Sequence, residues 1–280
     1  MALPNMSNSM YVARLRYIQS VRETRERRNP DVLVRYFLPL RQRIGVRLLR
    51  ADELKRLRSD PFYYYLVART RYYDQVLQDA IADGVKRWIG VGCGSDTRAF
   101  RFVDLLKAQG VKVLECDQVE AITEKQKLTE RWQHYGHVEY QSIDLNNETW
   151  PELERWIGDI SGPKTLLLME GVSPYVNETS FRKFLDLLAT KLPAGSHVAY
   201  DFKIAGVRDD FGREGRTVHP FRLPANTSQI KDFHAQLGLQ LEHAELGDAL
   251  CARLLPGQNG FPIFKEDGLV RLRVSPAVKK

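Results

Sequence analysis

From Arg87 to Phe202, short β-type runs alternate with helical segments, and this alternation narrows the fold more than any other feature of the chain. The runs are Arg87–Val91, Val111–Cys116, His137–Ile143, Lys164–Met169 and His197–Phe202. Helical patterns fill the gaps at Thr97–Ala108, Glu120–His134, Pro151–Ile157 and Glu178–Leu192. Such alternation predicts a parallel sheet with helices on both faces. A helix near Ser228–Leu237 and two more β-type runs, Leu239–Glu245 and Leu269–Val274, leave room for a sixth and a seventh strand. With 280 residues, 43% of them hydrophobic, the chain can bury one substantial core.

The first 60 residues differ from the rest. Helices are expected over 10–28 and 31–50, a short polar helix over Ala51–Arg58, and a long one from Phe62 to Ala82 that ends at Asp83-Gly84. Asn29-Pro30-Asp31 and Ser59-Asp60-Pro61 punctuate this region. Residues 1–60 hold 14 Lys/Arg against 6 Asp/Glu, more than the whole net charge of +7. A basic segment attracts nucleic acid, a membrane surface or an acidic small molecule, or it is simply a solvated helical face. We therefore expect a basic helical cap over 1–60 and a main domain over 61–280. Residues 203–224 form an irregular, lid-like insertion above the carboxyl edge of the sheet. No run is apolar enough to cross a bilayer, and MALPNMSNSM lacks the pattern of a secretory signal, so a soluble cytoplasmic protein is expected. Cys93, Cys116 and Cys251 show neither disulfide nor zinc spacing, and no metal is expected.

Four strand ends carry chemistry. Gly90, Gly92 and Gly94 give G-x-G-x-G as the first strand closes, where glycine permits a tight turn and a close ligand approach. A dinucleotide site needs G-x-G-x-x-G, but the third position is Ser95 counted from Gly90 and Thr97 counted from Gly92. A cofactor without a pyrophosphate does not need that glycine. Asp117 ends the second strand, placed either to accept both hydroxyls of a ribose or to cap the next helix. Asp144-Leu145 ends the third, placed either to take an adenine amine and ring nitrogen or to form a turn. Glu170 ends the fourth.

These features resemble the leucine carboxyl methyltransferase family, particularly its bacterial small-molecule members. The matching stretches are Ser59-Asp60-Pro61, Ala68-Arg69-Thr70-Arg71-Tyr72-Tyr73-Asp74, the run from Gly92 to Phe100, Glu115-Cys116-Asp117, Ile143-Asp144-Leu145 and the run from Met169 to Tyr175. Cys93 and Cys116 depart modestly from the family pattern, replacing an alanine and an aliphatic residue. The resemblance implies a class I methyltransferase Rossmann-like fold, a mostly parallel seven-stranded sheet, and S-adenosylmethionine as cofactor. It implies that Arg69 pairs with the methionine carboxylate and Gly92 and Gly94 lie against the cofactor. Asp117 would hold the ribose, Asp144 and Leu145 the adenine, and Glu170 the region of the methionine amino group. Asp96-Thr97 is placed to cap the next helix, and Arg98 faces either substrate or solvent.

The acceptor is less constrained. A carboxylate, with a pKa of about 4, is ionised at neutral pH and needs no base, whereas a hydroxyl of pKa about 10 or higher does. Tyr175 is placed to orient an acceptor, and His219 is the candidate base if that acceptor is a hydroxyl. Arg208, Arg213, Arg216 and Arg222, with the basic first 60 residues, favour an anionic small molecule. The first expectation is methyl-ester formation on a small carboxylic acid, ahead of hydroxyl methylation and of methylation of a protein C-terminus. A basic nucleic-acid module is disfavoured, because no aromatic-interleaved stripe or helix-turn-helix signature is present. Neither a nucleic-acid nor a membrane partner is expected.

Overall fold

The structure is a computed structural model, described here for residues 8–130, 132, 138–147, 149–208, 211, 218–255, 257 and 262–276. Three helices, α1 (Asn8–Arg22), α2 (Leu40–Arg47) and α3 (Ala51–Arg58), lead into α4 (Pro61–Ala82). Asp60 caps α4 by accepting the Phe62 amide at 2.9 Å, and Pro61 occupies the first turn, where a missing N–H costs nothing. The helix expected over 31–50 is broken. Leu38, placed before Pro39, is extended at φ −101°, ψ 138°, as the proline ring requires of its predecessor. A 3-10 turn, Leu33–Phe37, therefore stands before the break and α2 after it.

The central alternation follows as β1 (Arg87–Val91), α5 (Arg98–Arg101), α6 (Val103–Ala108), β2 (Lys112–Asp117), α7 (Val119–Thr129), β3 (Val138–Ser142), α8 (Pro151–Ile157), β4 (Thr165–Met169), α9 (Glu178–Lys191) and β5 (His197–Ile204). The single helix expected over Thr97–Ala108 is two, divided at Phe102, which leaves helical geometry at φ −105°, ψ 20°. A two-residue β6 (Arg222–Leu223), α10 (Thr227–Gln236), β7 (Leu239–Leu246), α11 (Gly247–Leu254) and β8 (Asp267–Val274) complete the fold.

The main sheet runs β3-β2-β1-β4-β5-β8-β7. Strands β1 to β5 pair in parallel, while β8 is antiparallel to both β5 and β7. Both faces are buried, so side chains alternate between two apolar layers. Trp88, Val113, Leu166, Leu168 and Ala199 pack with α1, α4 and α11. Ile89, Val91, Leu114, Leu167, Met169 and Val198 pack with α8, α9 and α10. Within the insertion expected at 203–224, Lys203 and Ile204 extend β5 and pair with β6. Residues 209, 210 and 212–217 lie outside the described set, and with them Arg213 and Arg216. Among the described residues, no helix is long and apolar enough to cross a membrane.

Candidate functional site

Parallel register sets the site. Val91 stands beside Cys116 and Met169, Cys116 beside Gln141, and Met169 beside Tyr200. Gly92, Asp144 and Glu170 beyond these strands, Asp117 at the end of β2 and Asp201 within β5 therefore gather at one sheet edge, where open α/β folds bind ligands. Strand order reverses there, since β1 has β2 on one side and β4 on the other.

Gly92 adopts φ +66°, and a Cβ at that position would collide with Val172 Cγ2. Glycine is thus required twice, for its backbone angle and for the close approach of the β4 loop. Gly94 turns the chain back, so its amide donates to Asp117 Oδ2 at 2.7 Å. Asp117 Oδ1 accepts the Gln118 amide at 2.8 Å. Each Asp117 oxygen thus holds one backbone N–H and keeps further acceptor capacity, the arrangement a ribose diol needs. Asp144 Oδ1 accepts the Asn146 amide at 2.9 Å, the turn contact open to an aspartate here. Leu145 buries its side chain beneath the edge.

Arg69, Arg98 and Glu170 form one buried cluster. Arg69 Nε lies 3.1 Å from Glu170 Oε1, and its Nη1 lies 3.0 Å from Asp201 Oδ2. Arg98 Nη2 takes the other Glu170 oxygen at 2.8 Å, while its Nη1 and Nε take Asp96 at 2.7 Å and Asp74 at 2.8 Å. Arg101 grips Asp74 through both terminal nitrogens at 2.7 Å. The first 60 residues join the same cluster: Arg16 of α1 pairs with Asp31 at 3.0 Å, and Asp31 accepts the Thr97 hydroxyl at 2.5 Å. Arg69 is thus buried between two carboxylates, and Arg98 faces not solvent but three carboxylates.

Burial and charge compete at each acid. Burial pushes the Asp201 carboxyl up to about 6, against the pull of Arg69. Burial also acts to raise Glu170 and Asp96, but the adjacent guanidiniums outweigh it and hold both below the usual carboxylate range. The cluster thus fixes a positive group, Arg69, against carboxylates at the mouth of the edge, chemistry suited to a zwitterionic amino acid end.

The sequence-level candidates for chemistry separate. Tyr175 ends a 3-10 turn, Ser173–Tyr175, at the β4 side of the edge. Its hydroxyl accepts Asn8 Nδ2 at 3.3 Å, and its ring centre lies 5.8 Å from that of Phe211. His219 is exposed beyond the start of α9, tied by its backbone to Asn177 and Glu178, and its ring has no hydrogen-bond partner among the described residues. The other described histidines, unlike His219, have partners: His197 in Asp83 and Glu242, His234 in Tyr200, and His243 in Glu245. Arg208 pairs with Glu266 at 3.5 Å, and Arg222 donates to the carbonyls of Arg208 and Phe211.

Sequence reasoning passed over Asp201, Asp74, Asp31 and Arg16. Asp201 had a signal: a lone acid in the apolar run Val198-Ala199-Tyr200-Asp201-Phe202, one register step beyond the Met169 pair. The others had none, since their partners are distant in sequence.

A sheet ordered 3-2-1-4-5, extended by an antiparallel C-terminal pair and carrying its acids at one edge, defines the class I methyltransferase Rossmann-like fold. A family model described as leucine carboxyl methyltransferase matches residues 8–189. The chain belongs to the leucine carboxyl methyltransferase family. A protein of Streptomyces avermitilis, named as an S-adenosyl-L-methionine-dependent methyltransferase, is 26% identical over 58% of this chain and 57% of its own length. A protein of the same description in Frankia alni is 26% identical over 71% of this chain and 69% of its own length. The chain thus spans little more than half of the first of these relatives. Among solved structures, the magnesium protoporphyrin IX methyltransferase of Synechocystis, with bound SAH, aligns over 80% of this chain and 94% of its own, at 13% identity and a TM-score of 0.49.

Proposed function

We propose that the chain is an S-adenosylmethionine-dependent O-methyltransferase that forms a methyl ester on the carboxylate of a small molecule. The observation that carries this reading is the strand-edge set of Gly92, Gly94, Asp117, Asp144, Glu170 and Arg69. It offers a bare glycine backbone, a carboxylate with spare acceptor capacity and a buried guanidinium on one edge. When bound, S-adenosylmethionine supplies an electrophilic methyl group on a sulfonium sulfur. Asp117 would hold the ribose hydroxyls, and Asp144 with the Leu145 backbone the adenine edge. Arg69 would hold the methionine carboxylate, and Glu170, fixed by Arg69 and Arg98, would face the amino group. Tyr175 would orient the acceptor.

The acceptor reading rests on what the edge asks of its substrate. Among the described residues no histidine stands with the strand-end acids, which favours an acceptor that arrives ionised. The chain's task is then to position two groups in line and to exclude water. On this reading residues 1–60 cap the main domain, 61–280, through the Arg16–Asp31–Thr97 contacts, and 203–224 serve as a lid. Basic residues in both segments favour an anionic small molecule. His219 has no part in it.

Incubation with methyl-labelled cofactor and a panel of small carboxylic acids, followed by mild base, tests the reading. An ester releases its label as methanol. A base-stable label would overturn the carboxyl assignment, and failure to bind S-adenosylhomocysteine would overturn the whole.

A further inference from the structure

An amphipathic surface helix normally turns its apolar stripe to the core. α2 does the reverse. Leu40, Ile44 and Leu48 recur every four residues along the helix and its C-cap, and are 68%, 50% and 73% exposed. Val46 and Leu49 are buried on the side that meets the protein. At about 100° per residue, the exposed ridge spans about 80° and points nearly opposite Val46, Leu49 and Gln42. Arg47 falls about 20° before the ridge and Arg41 about 20° beyond it, so a guanidinium flanks each side. Both are exposed, and neither guanidinium has a hydrogen bond or ion pair among the described residues. The ridge is not a frayed end, because Arg22 of α1 donates to the carbonyls of Arg47 and Leu49, both at 3.0 Å.

We propose that α2 is a docking surface for an anionic lipid bilayer. Leu40, Ile44 and Leu48 enter the boundary between headgroups and acyl chains, and Arg41 and Arg47 pair with the acidic headgroups. Charge complementarity selects this occupant. A second copy would bring two segments with 14 Lys/Arg against 6 Asp/Glu face to face. A nucleic acid would meet the arginines but leave three aliphatic side chains in water. An anionic bilayer accepts both sets of groups. A single short ridge gives reversible, salt-sensitive attachment. This departs from the sequence-level expectation of no membrane partner, which had no means of placing the ridge outward.

Flotation of the full-length protein with phosphatidylcholine vesicles, with and without about 30% phosphatidylserine, tests the proposal. The expected result is binding that needs phosphatidylserine and falls about tenfold or more in high salt. Leu40→Glu/Ile44→Glu and Arg41→Glu/Arg47→Glu should each reduce it by a similar factor, with S-adenosylhomocysteine affinity and thermal midpoint unchanged. Absence of vesicle binding would overturn the proposal. So would loss with the arginine pair alone, which would indicate a general polyanion patch. A concentration-dependent dimer abolished by Ile44→Glu would assign the ridge to self-association instead, and also overturn it.

Discussion

Asp201 sits where three demands meet. It anchors Arg69, accepts the Gly171 amide at 2.6 Å, and lies 3.4 Å from the Tyr73 hydroxyl. Burial raises its carboxyl to about 6, so the folded chain holds this proton more tightly than the unfolded chain, where the pKa is about 3.9. The resulting stability is complete below about pH 4 and is lost as pH rises through about 6. Asp201→Asn removes that dependence. Its stability relative to wild type should therefore improve between pH 4 and 7, by about 1–3 kcal/mol in denaturant titrations. A constant gap across that range would show that Asp201 stays ionised throughout. Asp117 carries a different burden. Asp117→Ala removes the proposed ribose acceptor and the anchor of the Gly94 amide, so S-adenosylhomocysteine should bind about 10–100-fold more weakly by calorimetry. Affinity within twofold of wild type would mean that Asp117 serves only the loop.

Between β2 and α7, one ion pair lies wholly inside. Lys125 Nζ is 2.8 Å from Glu115 Oε1 with both side chains 1% exposed, and it also donates to the Cys93 carbonyl at 3.2 Å. Burial drives the Glu115 carboxyl up to about 7, while the nearby acids and the Cys93 thiol raise Lys125 despite its burial. Removing one partner leaves the other charge buried. Lys125→Met should therefore cost about 3–5 kcal/mol and lower the thermal midpoint by roughly 10 °C. The double change Glu115→Leu/Lys125→Met should recover most of that loss by scanning calorimetry. If the double variant is no more stable than the single one, the pair contributes net stability beyond packing. The sequence did not announce this pair, because charge partners across elements leave no period. The elements themselves were readable where pattern and punctuation agreed: α3 and β1 fall on their expected bounds, and α4 starts beside Asp60-Pro61. Where a local rule competed with a period, the period misled. Pro39 interrupts 31–50, and α11 was missed because its eight residues offer only Leu250 and Cys251 as clear buried anchors.

Over the whole molecule, the order of layers was legible and the wiring between them was not. Alternating strands and helices specify a covered parallel sheet, and parallel register then brings the expected acids to one edge. What the sequence withheld is that α1 is linked through Asp31 to that edge. Arg16, Asp31, Thr97, Arg101, Asp74, Arg98, Glu170, Arg69 and Asp201 form a continuous path from α1 to β5. Such a path is expected to tie the mobility of α1 to occupancy of the edge, because a ligand that orders Arg69 and Glu170 would also restrain the groups they hold. Hydrogen exchange with and without S-adenosylhomocysteine reads this directly. Added protection is expected over residues 8–35 and 92–101, while β7 and β8, which lie off the path, should exchange unchanged. Arg16→Met should abolish the protection at 8–35 and retain it at 92–101, since it cuts the path at the cap. Protection confined to 92–101 in the wild-type chain would mean that cap and edge move independently.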